Sequence, residues 1–232
     1  MPDVAGFDII AELKLRSPAA GALRAPQEDI ASRVGRYATG GAAAVSVLTE
    51  PSEFQGELAH LESAARALKP AGIPALRKDF LVDPYQLAEA RSAGASGALI
   101  ILRMLAHEQL QGLMAEAERL GLFVLLEAFD EADIELAHAL VAGYRESPNP
   151  TVLVGVNCRD LETLQVVPER LESLGPLLPR GVLRVAESGV TCAADASRVR
   201  AAGYDMALVG SALMRAPDPQ ELLRQMLRAG RA

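Results

Sequence analysis

The sequence predicts an α/β protein in which residues 1–232 form a single (β/α)8 barrel domain, and three observations predict it. Short aliphatic or β-branched runs alternate with segments of helical period along the whole chain. Those runs are mostly continuous in their apolar character, as parallel strands covered on both faces should be. Eight strand candidates, each followed by a helical candidate, fit a closed barrel at a length of 232 residues. The competing open doubly wound sheet would place a G-x-G-x-x-G turn after its first strand, and "LKLRSPAAG" contains no such fingerprint.

In chain order, the first strand candidate is "FDIIAEL" (7–13), followed by "PQEDIASRVGRYA" (26–38), where apolar residues recur three and four apart. "AAAVSVLT" (42–49) and "ELAHLESAARAL" (57–68) form the second pair, and "IPALRKD" (73–79) and "DPYQLAEARSAG" (83–94) the third. "SGALIIL" (96–102) precedes "HEQLQGLMAEAERLG" (107–121), and "LFVLLEA" (122–128) precedes "EADIELAHAL" (131–140). "GYRESPNP" (143–150) reads as a helix-to-strand loop before "TVLVGVN" (151–157). "VLRVAES" (182–188), "SRVRAAG" (197–203) and "DMALVGS" (205–211) complete the series. Gly94, Gly121 and Gly203 fall where left-handed caps would end helices before short returns to the next strand. No linker or low-complexity run divides the chain.

Half of the residues are hydrophobic and 23% are charged, which is the composition of a globular chain. A net charge of −7 argues against nucleic acid or an anionic membrane surface as the main partner, while leaving room for a local basic pocket that takes an anionic small molecule. Cys158 and Cys192 are too few for a disulfide framework and lack zinc-site spacing, so they read as buried or inert thiols. The start "MPDVAGFDIIAELK" shows no basic segment followed by a long apolar one, and no stretch has the unbroken apolar length of a membrane span, so a cytoplasmic protein is expected.

A barrel of this kind places its active site at the C-terminal ends of its strands. Glu12 and Lys14 close the first strand, Lys78 and Asp79 the third, and Glu127 the fifth. Asn157 and Arg159 end the sixth, Glu187, Ser188 and Gly189 the seventh, and Gly210 and Ser211 the eighth. Any one of these alone reads as a solvated loop residue or half of a surface ion pair. Their convergence on one mouth is what points to chemistry, because carboxylates and amines brought together shift each other's pKa values and supply acid and base at once. Alternation puts Glu12 and Lys14 on the same side of their strand. It also turns Arg77 and Asp79 away from Lys78 in "ALRKDF", toward the helix layer and its loops. His60, His107 and His138 lie in helical segments and read as surface or packing residues. No metal site is expected, since lysines interleave the carboxylates and would repel a cation.

"AESGV" and "LVGSALM" place Gly and Ser in the loops after strands seven and eight, where such barrels hold phosphate against backbone N–H groups. Lys14 and Ser17, on the neighbouring first strand, would complete that shell. Tight βα turns alone would also favour small residues at these points.

Taken together, these motifs resemble the indole-3-glycerol phosphate synthase family of tryptophan biosynthesis. "IIAELKLRSPAAG", "GAAAVSVLTEPSEFQGEL", "ALRKDF", "VGVNCRDL", "AESGV" and "LVGSALM" look like its first-, second-, third-, sixth-, seventh- and eighth-strand signatures. The resemblance implies a carboxy-lyase on a TIM barrel, acting without cofactor or metal on 1-(2-carboxyphenylamino)-1-deoxyribulose 5-phosphate. Ring closure onto the ketone carbon, loss of CO2 and dehydration would give the indole. It implies Lys78 as general acid and Glu127 as base, with Lys14 holding substrate and donating a proton during dehydration. Glu12, Asn157 and Glu187 would position these groups. Arg159, Ser17, Ser188, Gly189, Gly210 and Ser211 would serve the phosphate and carboxylate, and Phe54, Phe80 and Leu81 an apolar slot for the ring.

Three departures from the family pattern stand out. Phe7 and Asp8 already begin the first strand, where family members usually carry several tens of residues that include a closing helix and loop; most of that extension is expected to be missing here. Glu127-Ala128-Phe129 stands where Glu-Val-His is usual, and "LRSPAAG" where a second Ser is common. The alternatives are a paralogous phosphate-binding barrel enzyme with shifted substrate, such as a sugar-phosphate isomerase, and a non-catalytic phosphate-ligand-binding barrel. The tryptophan-pathway isomerase would need a Cys at the end of the first strand, and the chain has none there. A non-catalytic relative would be expected to have lost Glu12, Lys78 or Glu127, and all three are present. Family analogy favours a monomer.

Overall fold

The computed structural model describes residues 6–18, 21–23, 29–144, 152–161 and 163–232. Eight parallel strands form a closed barrel: β1 (Asp8–Leu13), β2 (Ala44–Leu48), β3 (Ala75–Lys78), β4 (Gly97–Ile101), β5 (Phe123–Ala128), β6 (Val152–Asn157), β7 (Leu183–Glu187) and β8 (Met206–Val209). Neighbours in sequence are neighbours in the barrel, and β8 closes onto β1 with Ile10 opposite Leu208. The open-sheet alternative is thereby set aside.

Among the described residues eight main helices surround the barrel: α1 (Ile30–Gly40), α2 (Leu58–Leu68), α3 (Pro84–Ser92), α4 (His107–Leu120), α5 (Glu131–Tyr144), α6 (Glu169–Leu174), α7 (Ala193–Ala201) and α8 (Pro219–Arg231). Local chemistry fixes their starts. Asp29 accepts from the Ser32 amide, Asp83 and Gln86 form a capping box, and Asp218 accepts from the amides of Gln220 and Glu221 just ahead of Pro219. Gly94, Gly121 and Gly203 all have positive φ, as expected of helix ends.

Some elements differ from the sequence reading. α7 begins at Ala193, four residues before "SRVRAAG", and α5 runs to Tyr144. α6 and α8 were not singled out in the sequence, nor were the short helices Pro51–Phe54 and Ser211–Arg215 or the small hairpin pairing Arg16–Ser17 with Gly21–Ala22. Residues 145–150 of the "GYRESPNP" loop, 26–28 of the first helical segment and 19–20 of "LRSPAAG" lie outside the described residues. Cys158 is buried, but Cys192 is exposed at the start of α7, so burial explains only one of the two thiols.

Strand alternation divides the core in two. Inward-facing Ile10, Leu76, Leu99, Leu125, Leu153, Val185 and Leu208 fill the barrel, while a larger cluster that includes Phe7, Tyr37, Leu87, Met114 and Tyr204 packs between sheet and helices. Above the inner apolar layer the same inward rows continue as Glu12, Lys78, Glu127, Asn157 and Glu187. The apolar fill thus becomes a floor beneath a polar mouth. Among the described residues no helix is long and apolar enough to cross a membrane.

Candidate active site

At the C-terminal mouth the strand ends enclose a cavity of about 680 Å³. All but one of the residues expected there line it: Glu12, Lys14, Ser17, Phe54, Lys78, Phe80, Glu127, Asn157, Arg159, Glu187, Ser188, Gly189, Gly210 and Ser211. Leu81 is the exception among the suggested ring-slot residues. It is buried in the outer core, because the step from Phe80 to Leu81 reverses the side of the chain that faces the mouth.

Lys78 is the centre of the site. Its Nζ lies 2.7 Å from Glu127 Oε2 and 3.2 Å from Glu187 Oε2, and both carboxylates are almost wholly buried. Burial alone would depress the ammonium, but Glu127, Glu187 and Glu12 together outweigh it and hold its pKa above the ordinary lysine value. For Glu127, burial pushes upward, while the Lys78 charge and hydrogen bonds from Lys78, Glu187 and Asn157 pull the net pKa below the usual range. Glu187 goes the other way. Burial and repulsion from Glu127 raise its carboxyl well above the usual range despite the attraction of Lys78. One cation between two buried carboxyls leaves an acid charge in excess, and the excess falls on Glu187. Paired groups driven apart in this way are a common mark of acid–base sites.

Lys14 makes a separate pair on the far side of the mouth, with Nζ 2.6 Å from Glu12 Oε1. Asn157 joins the Lys78 cage to the turn after β7. Its Nδ2 donates to Glu127 Oε1 at 3.2 Å, while its Oδ1 accepts from Ser188 Oγ at 2.9 Å and from the Arg159 amide at 3.0 Å. Ser188 and Gly189 both have positive φ, so the chain turns sharply as it leaves β7 and directs the Ser188 hydroxyl back to Asn157. Arg159 donates from its guanidinium to the Leu164 carbonyl at 2.7 Å, which ties it to the loop that forms the apolar wall.

Arg77 faces away from the Lys78 cage, as alternation requires; Asp79, expected to point outward as well, borders the cavity instead, with its carboxylate held by neighbours at the rim. Arg77 donates to the Gln86 carbonyl on α3 at 2.7 Å and to Thr49 Oγ1 at 3.1 Å, while Asp79 accepts from Thr49 and Arg77 and caps the Phe80 amide. These bonds fix the turn that carries Phe80 to the rim. Phe54 is fixed differently: Glu50 accepts from three successive amides, those of Ser52, Glu53 and Phe54, and so caps the short helix that bears the ring. Phe129 is buried inside the barrel with the Arg103 guanidinium 4.6 Å above its ring, and Asp133 accepts from both Arg103 and the Phe129 amide.

The sequence reading missed part of the apolar wall. Leu48, Leu99, Ile101 and Leu208 are inward positions at strand ends, and alternation from Lys78 or Glu127 would have found them. Leu161, Leu164 and Val166 also line the cavity, from the loop between β6 and α6, where no periodic signal marks them.

Comparison with known proteins agrees with this geometry. The profile of the family described as indole-3-glycerol phosphate synthase matches residues 3–226. An indole-3-glycerol phosphate synthase of Parafrankia sp. (strain EAN1pec) is 45% identical over 222 residues, 96% of this chain and 78% of the relative. That of Rhodococcus jostii (strain RHA1) is 40% identical over 225 residues, 97% of this chain and 79% of the relative. Among solved structures, 3-hexulose-6-phosphate synthase from Salmonella typhimurium superposes with a TM-score of 0.70 at 14% identity, covering 96% of this chain and 98% of that one, which is a likeness of fold alone. With the family profile spanning nearly the whole barrel and relatives at this identity, the chain belongs to the indole-3-glycerol phosphate synthase family.

Proposed function

We propose that the groups at the mouth divide the synthase reaction among them, with the whole of residues 1–232 forming one catalytic domain. The substrate is a phosphorylated small molecule, 1-(2-carboxyphenylamino)-1-deoxyribulose 5-phosphate. The ring carbon that bears the carboxylate attacks the ketone carbon as Lys78 gives a proton to the ketone oxygen. Loss of CO2 returns the ring to aromaticity. Lys14 then protonates the new hydroxyl, which leaves as water, while Glu127 accepts the proton that the indole double bond releases. Such transfers need an acid and a base held on opposite sides of the reacting carbons. The Glu12–Lys14 pair and the Lys78–Glu127–Glu187 cage supply groups on two sides of one cavity.

The remaining roles follow from position. Asn157 holds Glu127 through a direct hydrogen bond, and Glu12 and Glu187 hold the two lysines. Ser17, Arg159, Ser188, Gly189, Gly210 and Ser211 surround the phosphate and carboxylate, and Phe54 and Phe80 wall the ring. The net charge of −7 speaks against nucleic acid or an anionic membrane as partner, and on family analogy the enzyme is a cytoplasmic monomer.

The observation that carries this reading is Lys78, held between two buried carboxylates at the floor of an apolar-walled cavity. Its test is the fluorescence of the indole product from purified protein and from Lys78→Ala. The wild type should turn over and the variant should be folded but nearly inactive. No indole from the wild type at high substrate concentration, with phosphate ligand demonstrably bound, would sink the reading.

A further inference from the structure

We propose that Gly155 is a positioning residue for the reaction: the side chain it lacks is the space into which the Glu187 carboxylate turns to reach Lys78. This rests on the roles proposed above for Lys78 and Glu187. Gly155 is the inward-facing residue of β6 between Leu153 and Asn157, paired in register with Glu127 on one side and Val185 on the other. A Cβ at this position would lie 2.2 Å from Glu187 Oε1 and 3.2 Å from Leu125 Cδ1. The backbone does not ask for glycine there, since Gly155 lies in a regular strand and has no left-handed φ. What the position requires is empty volume.

Gly210 shows the same device two strands along, just past the end of β8. With φ at −118° it also lacks a backbone reason to be glycine, and a Cβ there would lie 2.0 Å from Glu12 Oε1 and 3.1 Å from Lys14 Nζ. Glu187 and Glu12 therefore each sit in a notch opened by a glycine in or just past the neighbouring strand, while Glu127, the other partner of Lys78, does not. At Gly155 the obstructed atom is the tip of a side chain and not backbone, so a methyl group displaces the carboxylate before it disturbs the barrel. Glu187 Oε1 itself has no hydrogen-bond partner among the described residues; the carboxyl is held through its contacts with Lys78 and Glu127. Lys78 would keep Glu127 at 2.7 Å and lose Glu187 at 3.2 Å.

The test is Gly155→Ala, read by steady-state kinetics, thermal melting and a crystal structure. Misplacement of a catalytic group by about 1 Å is worth up to ~100-fold in rate, so kcat should fall by roughly tenfold or more while KM stays within about threefold. The crystal structure should show Glu187 beyond hydrogen-bond reach of Lys78, more than about 3.5 Å away. In a Glu187→Ala background the notch is empty, and adding Gly155→Ala should then change kcat by less than about twofold. A role in strand packing alone predicts equal losses in both backgrounds, and that result would overturn the proposal. So would wild-type kcat in Gly155→Ala, or a Glu187 still bonded to Lys78 in its structure. Should the single variant fail to fold, recovery of folding in the double variant supports the steric coupling, and failure of the double to fold where Glu187→Ala does so refutes it. An inactive wild type would count against the synthase reading, and the crystallographic distance would still decide the positioning role.

Discussion

Replacing Lys78 by Met keeps the bulk of the side-chain stem and removes the ammonium that, among the described residues, contacts Glu127 and Glu187. In the wild type the Lys78 charge holds the Glu127 pKa low, so Glu127 contributes stability at neutral pH that is lost only as the pH falls through its depressed pKa. Without Lys78, burial dominates and the Glu127 pKa rises above that of the unfolded chain. Its contribution is then present only at low pH and is lost as the pH rises. The loss has a ceiling, because the carboxylate can escape its buried charge by taking up a proton. From an unfolded pKa of ~4.3 at 1.36 kcal/mol per pH unit, that ceiling is about 3.7 kcal/mol at pH 7 and about 1 kcal/mol at pH 5. Glu187 is raised in the wild type already, so it changes less between the two proteins.

At roughly 2–4 °C per kcal/mol for a chain of this size, this charge effect can lower the melting temperature of Lys78→Met by at most about 15 °C at pH 7 and at most about 4 °C at pH 5. The assay is thermal unfolding by circular dichroism of both proteins across this range. The decisive quantity is the gap between them, which must open as the pH rises. A gap that is flat with pH, or that widens toward acid, would refute the argument that Lys78 neutralises a buried carboxylate.

The remaining predictions concern rate and stability. Glu127→Gln should leave the fold intact but lower turnover by about 100-fold or more, since a positioned base contributes ~100- to 10,000-fold; indole fluorescence measures it. Asn157→Ala leaves Glu127 Oε1, Ser188 Oγ and the Arg159 amide without their shared partner. It should destabilise by about 1–3 kcal/mol in a denaturant titration and also reduce kcat. Gly56→Ala would place a Cβ 2.5 Å from the Leu48 carbonyl oxygen and 2.7 Å from the Thr49 backbone. Since backbone must move, a loss of about 1–3 kcal/mol or more is expected by the same titration, with the Phe54 helix displaced.

The catalytic side of the mouth was legible because inward direction and strand period are local. Once "ALRKDF" is a strand end, Lys78 and Leu76 share a side, and the same rule assigns Glu12, Glu127, Asn157 and Glu187. The apolar wall was less legible. Leu161, Leu164 and Val166 reach the cavity through a loop held by Arg159, an interaction set by tertiary contact and not by period. α8 carries local signals in Asp218 and Pro219, an N-cap followed by a proline in the first turn, although no apolar run directly precedes it to announce a new strand–helix unit. The Gly155 notch could not be read at all. It exists only once β7 pairs with β6 so that Asn157 faces Glu187, a register set by closure of the whole barrel.

An ammonium whose pKa is raised is a weak acid at rest, which bears on the role proposed for Lys78. Its proton is secure until the substrate changes basicity: as the ring carbon bonds to the ketone carbon, the carbonyl oxygen becomes an alkoxide, a far stronger base than an amine, and transfer turns favourable only at that moment. The transfer also changes its neighbour. Glu127 is kept weakly basic by the Lys78 charge 2.7 Å away, and once that proton has gone the attraction disappears while burial remains. Glu127 then becomes a stronger base at the stage where the reaction needs one, to collect the proton released in dehydration. The coupling requires that the two groups touch and that water be scarce around them. A Lys78 side chain that is 16% exposed above a Glu127 side chain that is 3% exposed meets both conditions. On the roles proposed for Lys78 and Glu127, acid and base would in this way be ordered in time by a single contact, without movement of either strand.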